Sequence, residues 1–81
     1  MGSGNGRRWF KESCEAVAGR YLLSRRETEV LFLLAKGYNS AYIQEKLYIS
    51  EGTAKTHIRH IYRKLDIHNQ QELMRIVENG E

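Results

Sequence analysis

The chain has 81 residues with 41% hydrophobic content, enough for one small domain with a modest core and too apolar for a disordered segment. Thirteen Lys and Arg against ten Asp and Glu give a formal net charge of +3, a mild basic excess that points only weakly to a polyanionic partner. The single cysteine, Cys14, rules out an internal disulfide and fits a reducing compartment. The longest apolar run, Val30 to Ala35, is far short of a membrane span, and no stretch has the form of a signal peptide.

Met1 to Gly6 (MGSGNG) reads as a flexible leader or as appended residues, so residues 1–7 are set outside the fold. The interior has no proline, and 4 of the 7 glycines lie near the ends, which favours long helices. Phe10, Cys14, Val17, Ala18 and Tyr21 recur at helical spacing with Trp9 at the margin, predicting a helix over about 8–19 with Gly19 at its end. The simplest role for the 8–20 segment is extra core for the helices that follow. A linker or dimer contact is the alternative. Cys14, on the apolar face, is expected to be buried and inert.

Residues 21–79 form the candidate domain. Ser24-Arg25-Arg26-Glu27 has the form of a capping box and opens a helix to about Lys36, with Gly37 as its stop. Val30, Leu31, Leu34 and Ala35 supply an inner face. Phe32 and Leu33 extend the apolar surface around the circumference, as a central helix requires. Asn39-Ser40 caps a short helix over about 41–47 whose Ile43 and Leu47 point inward. Three residues follow, Tyr48-Ile49-Ser50, with Ile49 placed to fill the angle between this helix and the next.

Ser50 to Leu65 (SEGTAKTHIRHIYRKL) is a helix with two faces. Ser50 is a good N-cap, and Glu51 suits the positive end of the helix dipole. Ala54, Ile58, Ile61 and Leu65 make an apolar stripe. Lys55, Thr56, Arg59, His60 and Arg63 project from the other side. Thr53 lies in the first turn, where N–H groups and a hydroxyl suit a phosphate. A cationic face on an arbitrary helix is more often merely solvated. Here a short helix and a tight connection precede it, and together they form a helix-turn-helix pattern. Asp66 to His68 breaks the run. Asn69-Gln70-Gln71-Glu72 repeats the capping-box form and opens a last helix to about Glu78, with Leu73, Ile76 and Val77 on its apolar side and Asn79-Gly80 at its end.

Catalytic chemistry finds no support. There is no nucleophile–base set, no paired carboxylates in a plausible pocket and no phosphate loop. His57, His60 and His68 form no metal-ligand spacing with Cys14. No catalytic residue, metal, cofactor or small-molecule substrate is therefore expected. His57, at the border of the apolar stripe, is expected to be a packed histidine with one hydrogen bond. Tyr38, Tyr42 and Tyr48 cluster around the first motif helix, where packing is a better reading than stacking on a sugar–phosphate edge.

Two segments, LSRRETEVLFLLAKGYNSAYIQEKL and YISEGTAKTHIRHIYRKLDIHNQQEL, carry a family likeness. Their RE-x-EVL opening, G-Y-N-S-x-x-I step, I-S-x-x-T-x-K-x-H-I core and K-L ending are specific in combination. Over residues 22–77 the chain resembles the C-terminal DNA-binding domain of LuxR-type (GerE-like) response regulators and quorum-sensing activators. The resemblance implies an all-α, four-helix helix-turn-helix domain, here with an additional N-terminal helix, whose third helix enters the DNA major groove. It puts Lys55, Thr56 and Arg59 at positions that touch base edges, and Thr53 and Lys64 at positions that touch the backbone. Arg63, on the same cationic side, is a further phosphate candidate. The last helix would supply a dimer contact at Asn69, Gln70, Leu73 and Ile76. Gln44, Ala54 and Gln70 stand where the family commonly has Ala, Val and Arg.

The implied partner is double-stranded DNA, bound by a homodimer, since one recognition helix reads only a few base pairs. RNA polymerase is a further implied partner, and the cytoplasm the implied location. A receiver, a ligand sensor or a membrane region would be compatible with the full-length protein. Two rivals remain. A sigma-factor region-4-like promoter-binding module shares the motif but typically ends soon after the basic helix. A small helical protein-interaction module would turn its basic face to an acidic partner.

Overall fold

The computed structural model describes residues 6–79, with side chains from residue 10 onward. Of the leader expected over residues 1–7, residues 1–5 lie outside the described residues, as do the Trp9 side chain and residues 80–81, while Gly6 and Arg7 belong to the first helix. Five helices follow in order: α1 (Gly6–Arg20), α2 (Arg25–Ala35), α3 (Ser40–Leu47), α4 (Glu51–Leu65) and α5 (Gln70–Asn79). The architecture is all-α, as expected. The first helix begins two residues earlier than its apolar spacing indicated, because the periodic signal starts only where large side chains do.

Local chemistry sets the boundaries. At α2 the Glu27 N–H donates to Ser24 Oγ at 3.1 Å and the Ser24 N–H to Glu27 Oε1 at 2.9 Å, a complete capping box. Gly37 closes the helix at φ +96°, with Tyr38 N–H reaching back to the Leu33 carbonyl at 3.2 Å. Asn39 and Ser50 cap α3 and α4 by accepting from the Tyr42 and Thr53 N–H groups at 2.9 and 3.1 Å. The last cap departs from the expected box. Asn69 Oδ1 accepts from Glu72 N–H at 2.9 Å, but the Glu72 carboxylate reaches back to His68 N–H instead of Asn69.

Helix α2 packs against α1, α4 and α5, while α3 packs on α4. Val30, Leu31, Leu33, Leu34 and Ala35 are all buried, which is why α2 carries apolar residues around most of its circumference. Around it close Val17 and Cys14 from α1, Ile43 from α3, Ala54, Ile61 and Leu65 from α4, and Leu73 and Val77 from α5. Helix α1 is part of this core. Its buried Ser13 donates from Oγ to the Val77 carbonyl of α5, and Phe10 meets Phe32 edge to face at 5.3 Å. Burial pushes the Cys14 thiol up to about 11, with Glu15 adding to the shift against an opposing effect of Lys36. The thiolate, which is the reactive form, is thereby disfavoured.

Candidate nucleic-acid interface

The α3–α4 corner is built on one unusual residue. Tyr48 adopts the left-handed conformation at φ 56°. That lets the Ile49 N–H return to the Gln44 carbonyl at 3.1 Å, which ends α3 within one residue. Ile49 then packs half-buried against the core, filling the angle as expected. Tyr48 itself is 93% exposed. Gln44 turns its amide to Ser40 Oγ at 3.1 Å, and Ala54 is fully buried, so both departures from the common family residues are accommodated within the motif.

Behind α4, Ala54, Ile61 and Leu65 are buried and Ile58 is half-buried against the core. Lys55, Arg59 and Arg63 are exposed and Thr56 is half-buried beside them. Spacings of three and four residues put these four side chains on one ridge of the helix. Among the described residues Arg59 and Arg63 have no ion-pair partner. Lys55 does: its Nζ lies 2.8 Å from Glu51 Oε2. At the N-terminus Ser50 Oγ accepts the Thr53 N–H and donates to Thr53 Oγ1 at 3.0 Å. The Thr53 amide is thereby occupied, while its hydroxyl proton remains free to point outward.

Lys64 occupies a different environment from the ridge. Its Nζ donates to Glu27 Oε1 at 2.9 Å and to the Leu22 carbonyl at 3.1 Å. His60 Nδ1 stands 3.5 Å from the other Glu27 oxygen. Lys64 and His60 thus face the start of α2, and the free cationic ridge is narrower than the sequence indicated. Burial of Glu27 works to raise its carboxyl. The Ser24 N–H, the Lys64 ammonium and His60 outweigh that effect and hold it below the usual carboxylate range.

The residues expected at a dimer contact divide in the same way. Leu73 is completely buried in this chain's own core, because the apolar side of a short terminal helix is needed there first. Gln70 Nε2 donates to the Leu34 and Tyr38 carbonyls at 2.8 and 3.0 Å, so it caps the end of α2. Asn69 is exposed and Ile76 half-buried. His57 corrects a further expectation: its Nδ1 is buried and has no hydrogen-bond partner among the described residues. Tyr38 and Tyr42 stack on each other at 4.0 Å, whereas Tyr48, expected to pack with them, is 93% exposed because its left-handed backbone turns it outward at the corner.

Sequence reasoning missed the Glu51–Lys55 pair, although a Glu four residues before a Lys was a readable signal. It also missed the Lys64–Glu27 bridge and the Gln70 cap, which join residues 37 and 36 positions apart and leave no local trace.

The GerE family model (bacterial regulatory proteins, luxR family) matches residues 21–77. The chain is 41% identical over 61 residues to the transcriptional regulatory protein DegU of Brevibacillus brevis, covering 74% of this chain and 26% of that protein. It is 47% identical over 53 residues to the oxygen regulatory protein NreC of Staphylococcus haemolyticus, covering 65% of this chain and 24% of that protein. NreC of Staphylococcus carnosus is 45% identical over the same length. The chain therefore spans about a quarter of these relatives. No solved structure matches it.

Proposed function

We propose, from the premise that the chain belongs to the LuxR family of bacterial regulatory proteins, that it reads duplex DNA by sequence through α4. Membership makes it a regulatory helix-turn-helix domain, not an enzyme. The observation that carries the finer reading is the α4 ridge. Arg59 and Arg63 stand exposed and unpaired among the described residues, on a helix anchored from behind by buried Ala54, Ile61 and Leu65.

In this reading Arg59 recognises guanine, whose O6 and N7 match the guanidinium fork. Lys55 reaches a guanine edge, and Thr56 touches a thymine methyl. Arg63 and the Thr53 hydroxyl hold phosphates, which orient the helix without reading sequence. Lys64, committed to Glu27, sets the seating of α4 on α2. Two copies act together on a two-fold site, with α5 near Asn69 and Ile76 as the contact and Gln70 and Leu73, both engaged within their own chain, supporting that surface from behind. The domain serves as the output module of a cytoplasmic transcriptional regulator that works with RNA polymerase. No helix among the described residues is long and apolar enough to cross a membrane.

The test is selection of bound sequences from a pool of random duplexes. A two-fold symmetric consensus is expected. No enrichment over the starting pool would overturn the reading. An asymmetric element bound only with RNA polymerase would favour the sigma-factor alternative, and equal affinity for other polyanions the protein-interaction alternative.

A further inference from the structure

Glu51 is the only acidic side chain on α4, and it sits at the leading end of the ridge proposed to meet DNA. Its carboxylate holds the Lys55 ammonium at 2.8 Å, with both side chains more than half exposed. The pair is formed across one turn of the same helix, so it needs no partner element to hold it. In the free protein the ridge therefore presents two unpaired cations, Arg59 and Arg63, and one whose charge is partly offset by its neighbour one turn away.

We infer that Glu51 is a specificity determinant of α4: it withholds Lys55 from phosphates on non-cognate DNA and yields it only where a base edge replaces the carboxylate. The inference rests on the DNA-reading role proposed above. On random sequence a phosphate only exchanges one anion for another and leaves Glu51 uncompensated beside the polyanion, so Lys55 gains little by moving and contributes little counterion release. On a cognate site guanine O6 and N7 stand as two acceptors fixed in the groove that the docked helix faces, and they hold Lys55 without adding a negative charge beside Glu51. Such a contact adds sequence preference without adding a phosphate neutralisation. Glu51 would thus lower the background affinity that every basic helix has for the polyanion.

Glu51→Gln keeps the size of the side chain and removes the charge. On random duplex the variant should bind about threefold more tightly, and the slope of log affinity against log salt should steepen by up to about one unit, because Lys55 becomes free to neutralise a phosphate. On the selected consensus the affinity should change less and the slope should not change. The preference for consensus over random DNA therefore falls. In a Lys55→Gln background, Glu51→Gln should have little effect on either duplex. Thermal melts confirm that Glu51→Gln, Lys55→Gln and the double variant are all folded.

Equal tightening on both duplexes, with the same size in the Lys55→Gln background, would mean that Glu51 acts only as a general negative charge and overturns the inference. No change on random DNA overturns it as well, even if the wild type keeps its consensus. Loss of any consensus in the wild type removes the DNA-reading role and this inference with it, so the two failures are told apart by the wild-type selection alone.

Discussion

Lys64 on α4 places its ammonium 2.9 Å from the carboxylate of Glu27 on α2. That contact fastens the far end of the candidate recognition helix to the capping box of the central helix. Glu27 is 5% exposed, so its charge is tolerable only because Ser24 and Lys64 satisfy it. Lys64→Met is expected to cost about 1–3 kcal/mol of stability, since a buried carboxylate loses a charged partner. Arg63→Ala should stay within about 0.5 kcal/mol, as exposed substitutions usually do. Urea denaturation of both variants checks the contrast. Equal losses would mean that Lys64 is as peripheral as Arg63.

The same carboxylate gives the fold an acid-sensitive contribution. The folded state holds Glu27 below its ordinary range, so its contribution is present above the unfolded pKa and is lost as pH falls through the folded value. The loss should be progressive below about pH 5. Glu27→Gln should lower stability at neutral pH and flatten the stability profile on the acid side. Urea midpoints measured from neutral pH into that acid range would show it.

Arg59→Ala is expected to cost about 1–3 kcal/mol on the preferred duplex and less on random sequence, because the bidentate contact exists only with the correct base. Fluorescence titration against both duplexes separates these. Equal losses on the two would assign Arg59 to phosphate instead.

Arg63→Ala should weaken binding to all duplexes alike and reduce the salt slope by about one unit or less. An unchanged slope would remove Arg63 from the phosphate contacts.

Leu22 is held in the left-handed region at φ 60° while 80% exposed, so its side chain gains little and its backbone is strained. Leu22→Gly should stabilise the domain by about 0.5–1 kcal/mol, because glycine relieves the left-handed cost. Gly37, at φ +96°, should show the reverse: Gly37→Ala is expected to cost about 1 kcal/mol or more for the same reason. Thermal melts of the two variants should move in opposite directions.

The helices were legible because their signals are local. Ser24 with Glu27, Asn39 with Tyr42 and Ser50 with Thr53 each act across three residues, and the apolar spacing of α4 names its buried face directly. What the sequence concealed was competition for side chains between distant elements. Lys64 reads as one more cation beside Arg63 until the fold brings Glu27 to it. Gln70 reads as a surface residue until α2 ends beneath it, and its amide then satisfies two carbonyls where an Arg is common. Leu73 reads as available for a partner, but a core this small uses it first. His57 shows the converse case. Its position on α4 predicts packing, and the packing leaves its Nδ1 without the hydrogen bond that burial ordinarily demands.

The central claim is that the exposed ridge of α4 is the face that meets DNA. Titration of isotope-labelled protein with the selected duplex, followed residue by residue through backbone amide resonances, tests it most directly. The largest shifts are expected from Glu51 through Arg63, strongest near Lys55, Thr56 and Arg59, with small changes over α1. Shifts concentrated on α1 and the outer surface of α2, with α4 unmoved at saturation, would contradict it.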